Sequence, residues 1–126
     1  MSRRRETDYL QDMLLAGRRI GEYCKGLTYE DFLADHKTQD AVVRNLEIMG
    51  EAARCISETT CAKSPNMQWR NISRMRDRLI HGYFGVNWDI VWSVVSDELA
   101  TTLPQLELLT GQMPPEENEQ ETGRHE

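Results

Sequence analysis

The sequence predicts an all-helical protein, an antiparallel bundle of four to six helices. Apolar residues recur at steps of three and four in several separate segments. No segment alternates with period two, and none carries a hairpin signal. A chain of 126 residues, 39% apolar and 29% charged, is one soluble domain with a single core. Residues 1–112 are expected to form the bundle and residues 113–126 a disordered acidic tail.

The first helix is expected from about Thr7 to Cys24. Leu10, Met13, Leu14, Gly17, Ile20 and Cys24 make its stripe, Thr7 caps its start, and Gly26 takes the left-handed turn after it. Thr28 and Asp31 form a capping-box pattern ahead of a short helix through Tyr29, Phe32 and Leu33. A long helix from Lys37 to about Glu58 follows, with Ala41, Val42, Leu46, Met49, Ala52, Ala53 and Ile56 on one side. Its small residues around Gly50 permit close approach of another helix, and Glu51 there faces either solvent or a cleft. Ser64-Pro65-Asn66 reads as a loop. The next helix starts near Met67 or Gln68, carries Trp69, Ile72, Met75, Leu79 and Tyr83, and ends at Gly85. Asn87 caps the last one, whose stripe is Ile90, Val91, Val94, Val95, Leu99 and Leu103. Pro104 is expected to bend or interrupt it, with further turns over Gln105 to Thr110.

The formal charge of −6 argues against a general nucleic-acid binder, but it is unevenly placed. Five glutamates after Pro115 stand against Arg124 alone, −4, which leaves −2 for everything before them. Arg70, Arg74, Arg76 and Arg78 lie within nine residues, a basic patch able to hold a few phosphates. Cys24, Cys55 and Cys61 lack metal-type or Cys-x-x-Cys spacing, so reduced thiols in a cytoplasmic protein are expected. No run suits a membrane span, and the Arg-rich start has no apolar stretch of a secretory signal behind it.

The chemistry concentrates between Arg76 and Tyr83. An arginine offers a planar fork of donors that fits phosphate oxygens, and His81 can take and return a proton near neutral pH. Tyr83 adds a hydroxyl open to modification. The set suits phosphodiester chemistry without a metal or cofactor. Each residue also has an ordinary use: Leu79-Ile80 as core, Gly82 and Gly85 as helix-ending residues, His81 at a helix dipole, Arg76 as a solvated charge. A metal at Asp77 and His81 lacks further ligands nearby, His36 and His125 being remote. On a regular helix, at about 100° per residue, Arg76 and Tyr83 share a face while His81 lies about 140° from Arg76. Either the helix loosens near Gly82, or two copies of the segment complete the site.

Arg76-Asp77 followed by His81, and His81-Gly82-Tyr83, resemble the HEPN superfamily, specifically the HepT-like toxin ribonucleases. The similarity extends to Ala41 through Ala53, Trp69 through Met75, His81 through Val86 and Ile90-Val91-Trp92, about residues 8 to 110 in all. Asp77 fills a slot where Asn is common in that family. The resemblance implies an all-helical homodimer whose two motifs face a shared cleft and cut RNA without a metal. It implies His81 as the proton-transfer residue, Arg76 as the phosphate stabiliser, Asp77 as polar support and Tyr83 as a site of modification by AMP. The modifying partner implied is a nucleotidyltransferase antitoxin of the MntA type. The rival reading is a non-catalytic HEPN protein that binds nucleotides or assists a minimal nucleotidyltransferase.

Overall fold

The computed structural model describes residues 4–113, and every regular element among them is helical. In chain order these are α1 (Glu6–Tyr23), α2 (Tyr29–Leu33), α3 (His36–Ala53), α4 (Glu58–Cys61), α5 (Trp69–Ser73) and α6 (Met75–Leu79). A single 3-10 turn over Gly82–Phe84 precedes α7 (Trp88–Ser93), which runs through a π turn at Val94–Glu98 into α8 (Leu99–Gln112). The expected acidic tail lies outside the described residues apart from Met113, which packs against the core. No described helix is long and apolar enough to cross a membrane.

The stripes on α1, α3 and α8 build the centre. Leu10, Met13 and Ile20 meet Val42, Leu46, Met49, Leu106 and Leu109, all essentially without solvent contact. Gly26 takes the expected positive φ of 79° after α1. The Thr28–Asp31 capping box forms in both directions, each bond 3.0 Å long. On α7, Trp88 and Trp92 close over the buried ring of Phe32, at centroid distances of 5.9 and 5.1 Å. Tyr29 donates its hydroxyl to Asp89, and that bond is the main reason its phenol is pushed above the usual range.

Four local expectations are corrected. Thr7 is not the cap of α1: the helix starts at Glu6, and the Asp8 carboxylate reaches back to accept the Arg5 N–H at 2.9 Å. The long helix stops at Ala53 rather than near Glu58, because Ser57 instead caps α4, its hydroxyl accepting the Thr60 N–H at 3.2 Å. The Glu6 carboxylate fixes that break by accepting the Ser57 N–H and the Thr60 hydroxyl, each at 2.5 Å. The helix expected up to Gly85 is split at Arg74 (φ −102°, ψ 22°) and ends at Leu79. Pro104 sits inside α8 without interrupting it. Its ring is exposed, on the solvent side of the helix. These breaks give eight α-helical segments among the described residues, where four to six were expected.

Candidate active site

Gly50 sets the position of the site. A methyl group there would lie 2.9 Å from the Ile72 carbonyl oxygen and 3.2 Å from Met75 Cβ, so only glycine lets α5 and α6 lie this close to α3. Arg54 of the same face donates its Nε–H to the Ser73 carbonyl at 2.9 Å, tying the end of α5 down. Met75 and Leu79 then pin α6 into the core, with 1% and 0% exposure, which turns Arg76 and Asp77 outward.

Beyond α6 the chain leaves the helix at Ile80, whose backbone is extended (φ −92°, ψ 122°). Ile80 and Val86 form an isolated antiparallel bridge, and the Asn87 N–H captures the Leu79 carbonyl at 2.8 Å. Inside this closure the His81 N–H donates to Gly85 O at 2.5 Å and the Phe84 N–H to His81 O at 2.9 Å. Gly82 (φ 54°) and Gly85 (φ 89°) supply the left-handed conformations that bracket Tyr83 and Phe84. Asn87 caps α7 as expected, accepting the Ile90 N–H at 3.2 Å. The loosening anticipated near Gly82 therefore begins two residues earlier, and the angular separation of Arg76 and His81 on a regular helix no longer applies.

The loop holds its side chains out. His81 is exposed, Tyr83 is 92% exposed and Phe84 79%. The Phe84 ring stands 5.8 Å from the imidazole and 5.0 Å from the Tyr83 ring, edge-on to the latter. Arg76 leans toward α3, its guanidinium 3.6 Å from the Glu47 carboxylate, an ion pair too long for a good hydrogen bond. Glu47, Gly50, Glu51, Arg54, Ser73 and Arg76 line a small cleft there. Arg70 and Arg74 are exposed, whereas Arg78 is half-buried and held by both oxygens of Glu98, at 3.1 and 2.6 Å. Of the four arginines in the patch, Arg78 thus has its donor fork already engaged. Among the described residues no group of three or more His, Cys, Asp or Glu side chains is placed to hold a metal ion.

Two contributors were missed from the sequence. Glu47 was legible in principle, since Glu47, Glu51 and Arg54 recur at steps of four and three and share a face of α3. Glu98, the partner of Arg78, had no such signal, because the pair spans twenty positions and depends on how α6 meets the π turn.

Fold and site together define an all-helical protein of the HEPN type, with its arginine–histidine motif where a short helix gives way to a loop. The family described as ribonuclease HepT-like matches residues 13–110. The chain belongs to that family of ribonucleases, and is a nuclease by membership. It is 41% identical over 107 residues to a protein of Thermococcus cleftensis named probable ribonuclease HepT, covering 85% of this chain and 97% of that one. A provisionally named RNase of Methanocaldococcus jannaschii is 37% identical over 99 residues, 79% of this chain and 82% of its own. Another from Caldanaerobacter subterraneus is 39% identical over 99 residues, 79% and 85% respectively. No solved structure matches the chain at a significant level.

Proposed function

We propose that this chain is a metal-independent endoribonuclease, acting as a cytoplasmic homodimer and serving as the toxin of a toxin–antitoxin pair. The observation that carries the reading is the joint exposure of Arg76, His81 and Tyr83 where α6 leaves the bundle. Neutral His81 takes the proton of an RNA 2′-hydroxyl, and that oxygen attacks the adjacent phosphorus. The bond from phosphorus to the next nucleotide's 5′-oxygen breaks, and the protonated histidine of the second protomer supplies the leaving oxygen with its proton. The products are a 2′,3′-cyclic phosphate and a 5′-hydroxyl end. Arg76 stabilises the charge that builds on the non-bridging oxygens, exchanging its loose Glu47 partner for phosphate. Asp77, exposed beside it, is polar support. Arg70 and Arg74 add contacts to the RNA backbone, while Arg78, paired with Glu98, reaches phosphate only by giving up that pair.

Regulation falls to Tyr83. An MntA-like nucleotidyltransferase antitoxin brings ATP to it, the phenol oxygen attacks the α-phosphorus, and pyrophosphate leaves. The resulting AMP ester places bulk and negative charge where RNA enters. The RNase names of the relatives support the reaction class.

The test is cleavage of single-stranded RNA by purified protein in EDTA, with DNA of the same sequence beside it. Cyclic-phosphate ends on RNA and intact DNA are expected. A requirement for divalent metal, or equal cutting of DNA, overturns the mechanism, and no cleavage at all leaves only an accessory role.

A further inference from the structure

Phe84 is the conspicuous misfit of the surface. The other phenylalanine, Phe32, has 0% exposure, and Trp69, Trp88 and Trp92 all pack against the core. Phe84 keeps 79% of its area in water, an arrangement that burial energetics alone disfavours. The backbone places it there: the His81–Gly85 and Leu79–Asn87 bonds close the loop, and two glycines of positive φ bracket its tip. With no polar atom, it can serve neither as acid or base nor as acceptor of a nucleotidyl group. What it offers is a flat apolar face 5.8 Å from the imidazole of His81.

The charge balance adds a second argument. The chain before the acidic tail carries −2 overall, and Arg78 is already tied to Glu98. Attraction for a polyanion is therefore local and modest, so a bound RNA needs affinity from something other than phosphate contacts. Stacking of a base on an aromatic ring supplies it, tolerates any sequence, and requires a base free of its pairing partner.

We infer that Phe84 is the stacking platform for an unpaired base beside the scissile phosphate, so that the substrate is single-stranded RNA. The inference rests on the ribonuclease reading above. A base stacked on this ring lies beside His81, whose imidazole centroid is 5.8 Å from that of Phe84. In an A-form duplex the bases are stacked on each other and turned inward, out of reach of a short loop.

Two measurements test it. Protein carrying His81→Ala, which binds without cutting, is titrated with single-stranded RNAs bearing 2-aminopurine at successive positions. Quenching at one position next to the cleavage site is expected, and its loss when Phe84→Ala is added. In otherwise wild-type protein, Phe84→Ala is expected to raise KM for single-stranded RNA roughly five- to 150-fold, the worth of one stacked base, with Phe84→Trp close to wild type. Absence of quenching at every position, an unchanged KM, or equal cutting of duplex and single strand overturns the inference. So does loss of dimer by Phe84→Ala in sedimentation, which assigns the ring to a contact between copies. Should the wild type cut no RNA, the ribonuclease reading falls, and the quenching measurement still decides the stacking.

Discussion

Tyr83 is 92% exposed and its ring meets that of Phe84 edge-on, so removing its hydroxyl disturbs no core contact. Tyr83→Phe is expected to stay folded and to cleave RNA at the wild-type rate. With the cognate nucleotidyltransferase and ATP it should remain active, and intact mass should show added AMP on the wild type alone. An adduct on another residue, or neutralisation of the variant, removes Tyr83 from this role. His81→Ala and Arg76→Ala are expected to lower cleavage in EDTA by about 10²–10⁴ and 10²–10³ respectively. Both side chains are exposed, so circular dichroism and Tm should not move. Wild-type rates in either variant would sink the assignment. The motif itself was legible because its chemistry resides in residue identity: arginine, histidine and tyrosine announce what they can do. Which charges are already engaged was not legible. Arg78 and Arg74 read alike in the sequence, yet tertiary contacts give Arg78 to Glu98 and leave Arg74 exposed.

At the scale of elements, the stripes of α1, α3 and α8 were readable because helical periodicity is a local signal. The end of α6 was not. Leu79 and Tyr83 keep a helical spacing, and only the Ile80–Val86 bridge and the Asn87–Leu79 bond, both non-helical closures, override it. Gly50 was read correctly as a point of close approach, and two glycine substitutions test that with opposite signs. Gly50→Ala overpacks against Ile72 O and Met75, and is expected to destabilise by about 1–2 kcal/mol after the helix gain is deducted. Gly21→Ala, on α1 with nothing within 4 Å, is expected to stabilise by about 0.5–1 kcal/mol. Urea unfolding reads both, and shifts of the same sign count against the packing account. Glu6 gives a pH test of the α1–α4 junction. Burial pushes its carboxyl up, but hydrogen bonds from Thr60 and Ser57 outweigh it and hold the group below its ordinary value of 4.5. A carboxylate with a depressed folded value contributes stability above its unfolded value and loses it as pH falls through the folded one. Glu6→Gln should therefore weaken the fold at pH 7 and converge with wild type as pH drops below about 4. A constant gap between the two across that range contradicts the assignment.

At the scale of the whole molecule, the proposed transesterification needs both a base and an acid at one site. The described residues hold two histidines, His36 at the first turn of α3 and His81 in the loop. Only His81 stands beside Arg76 in the chain, so a single protomer offers one imidazole for two opposite proton transfers. Because the helix ends at Leu79, the helical angle between Arg76 and His81 no longer argues for a second copy, and under the proposed mechanism that argument passes to the second imidazole. Of the four aromatic residues Tyr83, Phe84, Trp88 and Trp92 that could supply a contact between copies, Trp88 and Trp92 pack on Phe32, whereas Tyr83 and Phe84 stand exposed. Sedimentation is expected to give a symmetric dimer at tens of micromolar, about the range in which even a weak dimer forms. A sharper readout comes from mixing. When His81→Ala protein is exchanged into wild type at fixed total concentration, each mixed dimer holds a single imidazole. Cleavage should then fall as the square of the wild-type fraction, because only pairs with both histidines turn over. A linear fall means that each protomer cuts alone, and the shared proton relay between two copies of His81 is then wrong.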